Sequence, residues 1–159
     1  MIVVSNTTPL NYLILIGRAE LLSAIYSNIV IPRAVYRELT SGRAPDIVRQ
    51  WITDRPEWVD VADAPQIVDA HLESIQIGER ETILVAEELN ADLIVLDDRK
   101  ARRLAHDRGL TVIGTIGILT DAAERGLIDL REALQALQTT SFRASSELLQ
   151  SLLRQNEPQ

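Results

Sequence analysis

Leu93-Ile94-Val95-Leu96 is an unbroken apolar run, rich in β-branched residues, that breaks into two adjacent carboxylates, Asp97 and Asp98. A short run with no polar face reads as a strand buried on both sides, the situation of a parallel strand inside an α/β sheet. Open sheets of that kind place their ligands at the carboxyl ends of the strands. Upstream, Gly78-Glu79-Arg80-Glu81 opens a helix, Glu79 to Leu89, whose middle, Ile83-Leu84-Val85-Ala86, is apolar and therefore packs against the sheet, with Asn90 as a left-handed stop. An acid in a first helical turn has an ordinary explanation in the helix dipole, worth under about 1 kcal/mol. That covers Glu81. Glu79 exceeds it, because the nearby strand aims two more carboxylates at the same edge, and the three are expected to converge on a divalent metal.

The composition narrows the chemistry further. Of 159 residues 46% are hydrophobic but only 4% aromatic, so the core is built from Leu, Ile, Val and Ala, and the length favours one compact domain, residues 1–155, with a polar tail at 156–159. Cysteine is absent, which removes disulfides, thiol nucleophiles and cysteine-ligated zinc. His71 and His106 are the only imidazoles, neither with a second histidine at ligand spacing, and no Gly-x-Ser-x-Gly turn offers an activated serine. Carboxylates must carry any reaction. No run approaches a bilayer span and the start lacks the basic and long apolar stretches of a secretory signal, so a soluble, cytoplasmic protein is expected. The formal charge of −7 argues against a general grip on nucleic acid, while leaving room for a local basic patch.

Along the chain, Ile2-Val3-Val4 reads as a central strand running into Ser5-Asn6-Thr7-Thr8, with Thr8 as cap and Pro9 as first residue of a helix to Ile16 that Gly17 ends. Asn6 therefore sits at a strand-to-helix turn. A short helix over Ala19 to Ile25 leads to a strand at Ile29-Val30-Ile31, after which Pro32 starts a helix with Glu38 in its last turn, where the dipole disfavours a carboxylate. A helix over Asp46 to Thr53, an edge strand at Trp58 to Val61, and a helical turn or two between Gln66 and Ile77 follow. Beyond Asp98, Arg99 to Arg108 forms a two-faced helix, apolar at Ala101, Leu104 and Ala105, basic at Arg99, Arg102 and Arg103. Thr111-Val112-Ile113 is a short strand, and Gly114-Thr115-Ile116-Gly117 turns into a helix to Arg125. Asp129 and Ser145 cap two further amphipathic helices, together spanning about 130–153, which cover the sheet or serve an interface.

Several carboxylates held together need a compensating cation, and oxygen-only ligands favour Mg²⁺ or Mn²⁺ over zinc. Metal-assisted phosphodiester hydrolysis is the matching reaction class. At this point the ordered set of motifs, Val3-Val4-Ser5-Asn6-Thr7-Thr8-Pro9-Leu10, the Ile31-Pro32 helix ending in Glu38-Leu39, Gly78-Glu79 with its apolar helix, Leu96-Asp97-Asp98-Arg99-Lys100-Ala101-Arg102, and Gly114-Thr115-Ile116-Gly117-Ile118-Leu119, resembles the PIN-domain superfamily over nearly the whole chain. Within it the chain is most similar to the group related to VapC toxins, found beside toxin–antitoxin genes.

That resemblance implies a PIN-like three-layer α/β/α sandwich with a central parallel sheet, and an acidic pocket holding Mg²⁺ or Mn²⁺ for RNA cleavage. The family's acidic positions fall on Asn6, Glu38, Glu79 and Asp98, with Asp97 an adjacent candidate. Metal ligation is implied for Asn6, Glu79 and Asp98, and placement of the attacking water for Glu38 and Asp97. Thr7 supports the first position, and Thr7 with Arg99, Arg102 and Arg103 faces the substrate. A cognate antitoxin and a homodimer are the implied partners. Asn6 departs from the pattern: an amide oxygen can ligate Mg²⁺ but brings no negative charge. The alternative is accordingly a degenerate PIN-like module that binds RNA or protein without cutting.

Overall fold

A computed structural model describes residues 1–156; the end of the expected polar tail, residues 157–159, lies outside the described residues. Five strands form one parallel sheet in the order β3-β2-β1-β4-β5: β1 (Val3–Ser5), β2 (Ile29–Pro32), β3 (Val59–Ala62), β4 (Leu93–Val95) and β5 (Val112–Ile113). β1 lies centrally, in register with β4 through Val3–Leu93, Val4–Ile94 and Ser5–Val95. The Asn6 amide extends that ladder by one step, donating to Val95 O at 3.0 Å.

Alternation along the strands divides the core into two layers. Val3 and Val95 face one side, with Leu10 and Leu13 of α1 (Thr7–Leu15), Leu22 of α2 (Leu21–Tyr26), and Val35 and Leu39 of α3 (Arg33–Thr40). Val48 of α4 (Asp46–Thr53), Ile118 of α7 (Thr115–Glu124), Leu134 of α8 (Leu130–Gln138) and Leu149 of α9 (Ser146–Asn156) complete that layer. Val4, Ile94 and Leu96 face the other side, against Ile83 and Val85 of α5 (Ile77–Glu88) and Ala101 and Ala105 of α6 (Arg99–Asp107). The result is the three-layer α/β/α sandwich with a central parallel sheet. The sequence order reverses about β1, so β2 and β4 leave it on opposite sides, and the crevice such a reversal opens lies at the carboxyl ends of β1 and β4.

Two local expectations change. The first helix begins at Thr7, with Asn6 at its N-cap and Pro9 in the first turn, instead of starting at Pro9 behind a Thr8 cap. Proline costs nothing there, because the first four helical N–H groups lack intrahelical acceptors anyway. Between Gln66 and Ile77 only a 3₁₀ turn forms, Ala70–Leu72, capped by Asp69 accepting from His71 N. Ile67 and Val68 stay exposed, Val68 at 92%, and only Leu72 and Ile75 of that stretch are buried, so its first half has no apolar face to hold a longer helix against the core. Among the described residues no helix is long and apolar enough to cross a membrane.

Candidate active site

Each candidate side chain reaches the carboxyl edge of the sheet by a local rule. Asn6 follows β1 directly; Asp98 follows β4 and caps α6, its Oδ2 accepting from Ala101 N at 3.0 Å. Glu79 occupies the third position of α5 and turns back to accept from Gln76 N at 3.1 Å, half of a capping box. Glu38 arrives from the last turn of α3 and accepts a hydrogen bond from the Thr7 hydroxyl.

The approach of Glu38 depends on a missing atom. Gly78 has no side chain, and a Cβ built there would lie 2.5 Å from Glu38 Oε1. Glycine at the start of α5 thus lets two helices bring Glu38 and Glu79 to one place. Glu79 is only 8% exposed, and its carboxyl is pushed above the usual range, first by burial and then by the charges of Asp98 and Glu38, against the Gln76 N–H that favours the anion. Three of the expected residues therefore share one electrostatic environment.

Asn6 is 4% exposed, and although it occupies an N-cap its side chain makes no cap hydrogen bond. Its Oδ1 is buried without any partner. Asparagine is favoured at this position because it normally satisfies a helix N–H, and an orphaned buried acceptor costs about 1–3 kcal/mol. The oxygen, at the carboxyl end of β1, is left over for something else.

These donors suit a hard divalent cation: they are all oxygens, one orphaned, one raised in pKa first by burial and then by its acidic neighbours. Among the described residues no three carboxylate or imidazole side chains stand close enough to enclose an ion by themselves. Mg²⁺ does not require that, since it keeps several waters and takes one or two carboxylates plus substrate phosphate. The residues fit that mode of binding and not a closed all-protein cage.

Asp97 goes elsewhere. Its Oδ1 accepts from Thr115 N at 2.7 Å and its Oδ2 from Thr115 Oγ1 at 2.6 Å, so it ties β4 to the start of α7. Burial pushes its carboxyl upward, with the Thr115 bonds and then Arg102 opposing. Gly114 makes the approach feasible, because a Cβ there would lie 2.8 Å from Asp97 Oδ1 and 2.5 Å from Arg102 Nη1. Asp97 lines a groove with Arg99 and Arg102, whereas Glu79 and Asp98 line another with Lys100. Arg103 is exposed and lines neither.

Sequence reasoning missed one residue. Glu81, explained by the helix dipole alone, has its Oε1 accepting from Ala34 N at 2.9 Å and so caps α3 across 47 positions of chain. The missing cap on α3, whose N-cap is Pro32, was the available signal.

A solved structure of a PilT N-terminus domain protein from the hyperthermophilic archaeon Sulfolobus solfataricus P2 has the same fold, with a TM-score of 0.52 over 91% of this chain and 100% of that one at 17% identity. No curated protein sequence matches significantly. A family model described as DUF3368, PIN domain, matches residues 2–158. The chain belongs to this PIN-domain family.

Proposed function

We propose that the protein is a metal-dependent ribonuclease, hydrolysing phosphodiester bonds at the edge where Asn6, Glu38, Glu79 and Asp98 meet, and that it is the toxin half of a toxin–antitoxin pair in the cytoplasm. PIN is generally a nuclease fold; its nucleases act on nucleic acids and typically use divalent metals. The observations that carry the reading are the orphaned, buried Oδ1 of Asn6 at the end of β1 and a Glu79 carboxyl raised first by burial and then by Asp98 and Glu38. Bound Mg²⁺ or Mn²⁺ would supply charge compensation and an activated water for phosphate-ester hydrolysis.

Asn6, Glu79 and Asp98 are the residues to hold the ion. Glu38, oriented by Thr7, is placed to receive a proton from the attacking water, and Asp97 positions the start of α7. Arg99, Arg102 and Arg103 supply positive charge to the substrate side. Purified protein should cleave RNA with Mn²⁺ or Mg²⁺, Glu38→Gln should slow it by roughly 10²–10⁴, and Glu79→Gln or Asp98→Asn should abolish it. Activity that survives both of the last two substitutions would rule out this site.

The amide at position 6 favours a second reading, a PIN module that binds RNA or a protein without cutting. Calorimetric titration with Mn²⁺ separates the two: no binding by the wild type, with binding gained in Asn6→Asp, supports the non-catalytic module. The toxin role predicts a small open reading frame overlapping this gene, whose product copurifies with this protein; a homodimer is checked by sedimentation.

A further inference from the structure

Among the described residues eight large hydrophobic side chains are exposed, and three of them, Ile67, Val68 and Ile77, line one groove of about 270 Å³. Single exposed hydrophobics are ordinary, whereas a cluster around one groove marks a contact surface. One wall of the groove is the segment 64–68, which follows the edge strand β3 and forms neither helix nor strand. The other is a face of α5, where Ile77, Arg80, Glu81 and Leu84 stack on one side at helical spacing. None of Asn6, Glu38, Glu79 and Asp98 lines it.

Arg80 indicates what the groove takes. Its Nε is buried without a hydrogen-bond partner, and its guanidinium makes no ion pair among the described residues. A charged donor that has lost its water and gained no acceptor destabilises the free protein. The surrounding carboxylates do not relieve it. Glu81 Oε1 accepts from Ala34 N, and Asp63 and Asp69, at either end of the segment, pair with Arg33 and Arg108. A carboxylate arriving from outside can accept from Nε and one Nη together, the bidentate geometry that suits a guanidinium.

The segment also leaves main-chain donors open. Ile67 N donates to Pro65 O at 2.9 Å, but the N–H groups of Ala64, Gln66 and Val68 reach no backbone acceptor among the described residues. A peptide laid along the segment can accept from them, as in the addition of a strand at a sheet edge. The occupant is not a second copy docked through the same patch. A two-fold interface repeats one surface, so Arg80 would meet a patch whose own carboxylates are engaged. Nor does one cation among apolar side chains suit a chain of phosphates.

We propose that this groove docks a segment of a different protein in which a carboxylate stands between apolar residues. The carboxylate pairs with Arg80, the apolar side chains cover Ile67, Val68 and Ile77, and the main chain accepts from the open N–H groups of segment 64–68. The proposal does not rest on the nuclease reading. Selection of phage-displayed random peptides on the immobilised full-length protein tests it, followed by fluorescence anisotropy of labelled synthetic copies and by amide hydrogen exchange. Selected peptides should share Asp or Glu flanked by apolar residues and slow exchange at Gln66 and Val68. Replacing that acid by its amide, or Arg80→Gln in the protein, should weaken binding roughly tenfold or more, and both together no more than either alone. Val68→Ser should weaken it several-fold, and Arg18→Gln should leave it unchanged. Arg80→Gln should melt no lower than the wild type, because the donor it removes is unpartnered, so lost binding is not lost folding. An empty selection, peptides that lack an acid or bind Arg80→Gln as tightly as the wild type, or protection of another surface overturns the proposal. So does a dimer in sedimentation that Val68→Ser abolishes, since the occupant is then a second copy.

Discussion

Asn6 leaves its Oδ1 unused where an asparagine ordinarily caps a helix. Asn6→Asp adds a buried charge at that point, so without metal it should melt lower than the wild type, and with Mn²⁺ recover while binding the ion about tenfold tighter, equivalent to ~1.4 kcal/mol. Calorimetry and thermal melting read both effects. Glu79 carries the opposite lesson. Its folded pKa lies above its unfolded value, so the folded protein binds the proton more readily and stability falls as pH rises from the unfolded carboxylate range through the folded value. Glu79→Gln should therefore melt higher than the metal-free wild type at neutral pH and lose that advantage below about pH 4. Gly78→Ala separates stability from function: alanine gains about 1 kcal/mol of helix propensity, which offsets the strain of its Cβ against Glu38 Oε1. Melting should change little while cleavage falls, because Glu38 loses its place.

Among the elements, α3 borrows its cap from another helix. Its N-cap is Pro32, which offers no side-chain acceptor, and Glu81 of α5 supplies one to Ala34 N. Glu81→Ala should cost about 1 kcal/mol, the usual value of a helix cap, and should slow cleavage because α3 carries Glu38. Glu81→Gln keeps a side-chain oxygen and should restore both, as chemical denaturation and RNA cleavage would show. The elements themselves were legible: Asp46–Thr53 falls where its apolar spacing puts it, and Gly17 and Asn90 adopt the positive φ expected after helices ending at Leu15 and Glu88. These are local signals, periodicity and left-handed stops, that neighbouring residues settle between themselves. Pro32 showed that α3 lacked a cap, but not that Glu81 supplies it, because the two are distant in sequence.

Across the whole molecule, Arg108 at the end of α6 joins Asp69, 2.8 Å away, to Glu87 of α5, 2.7 Å away. Hydrogen bonding to Arg108 is the first cause that holds Asp69 below the ordinary carboxylate range, and the stability this gives is present above the unfolded value and lost as pH falls through the folded one. Arg108→Gln should melt lower than the wild type at pH 7, and the difference should shrink below about pH 4 as Asp69 takes up its proton. A melting series across pH reads this directly.

The sequence by itself determined the parallel sheet, the order of its helices and the places of Asn6 after β1, Glu79 at a helix start and Asp98 after β4, because each follows from a short apolar run or a helix start. Only the tertiary structure decided how two neighbouring aspartates divide. Asp98 turns into the first turn of α6, where it lines a groove with Glu79, and Asp97 turns toward Thr115. It likewise decided that Gly78 admits Glu38 and that Glu81 holds α3. Those outcomes depend on which backbone N–H groups lie free after the helices have packed, and packing brings together residues that the chain keeps tens of positions apart.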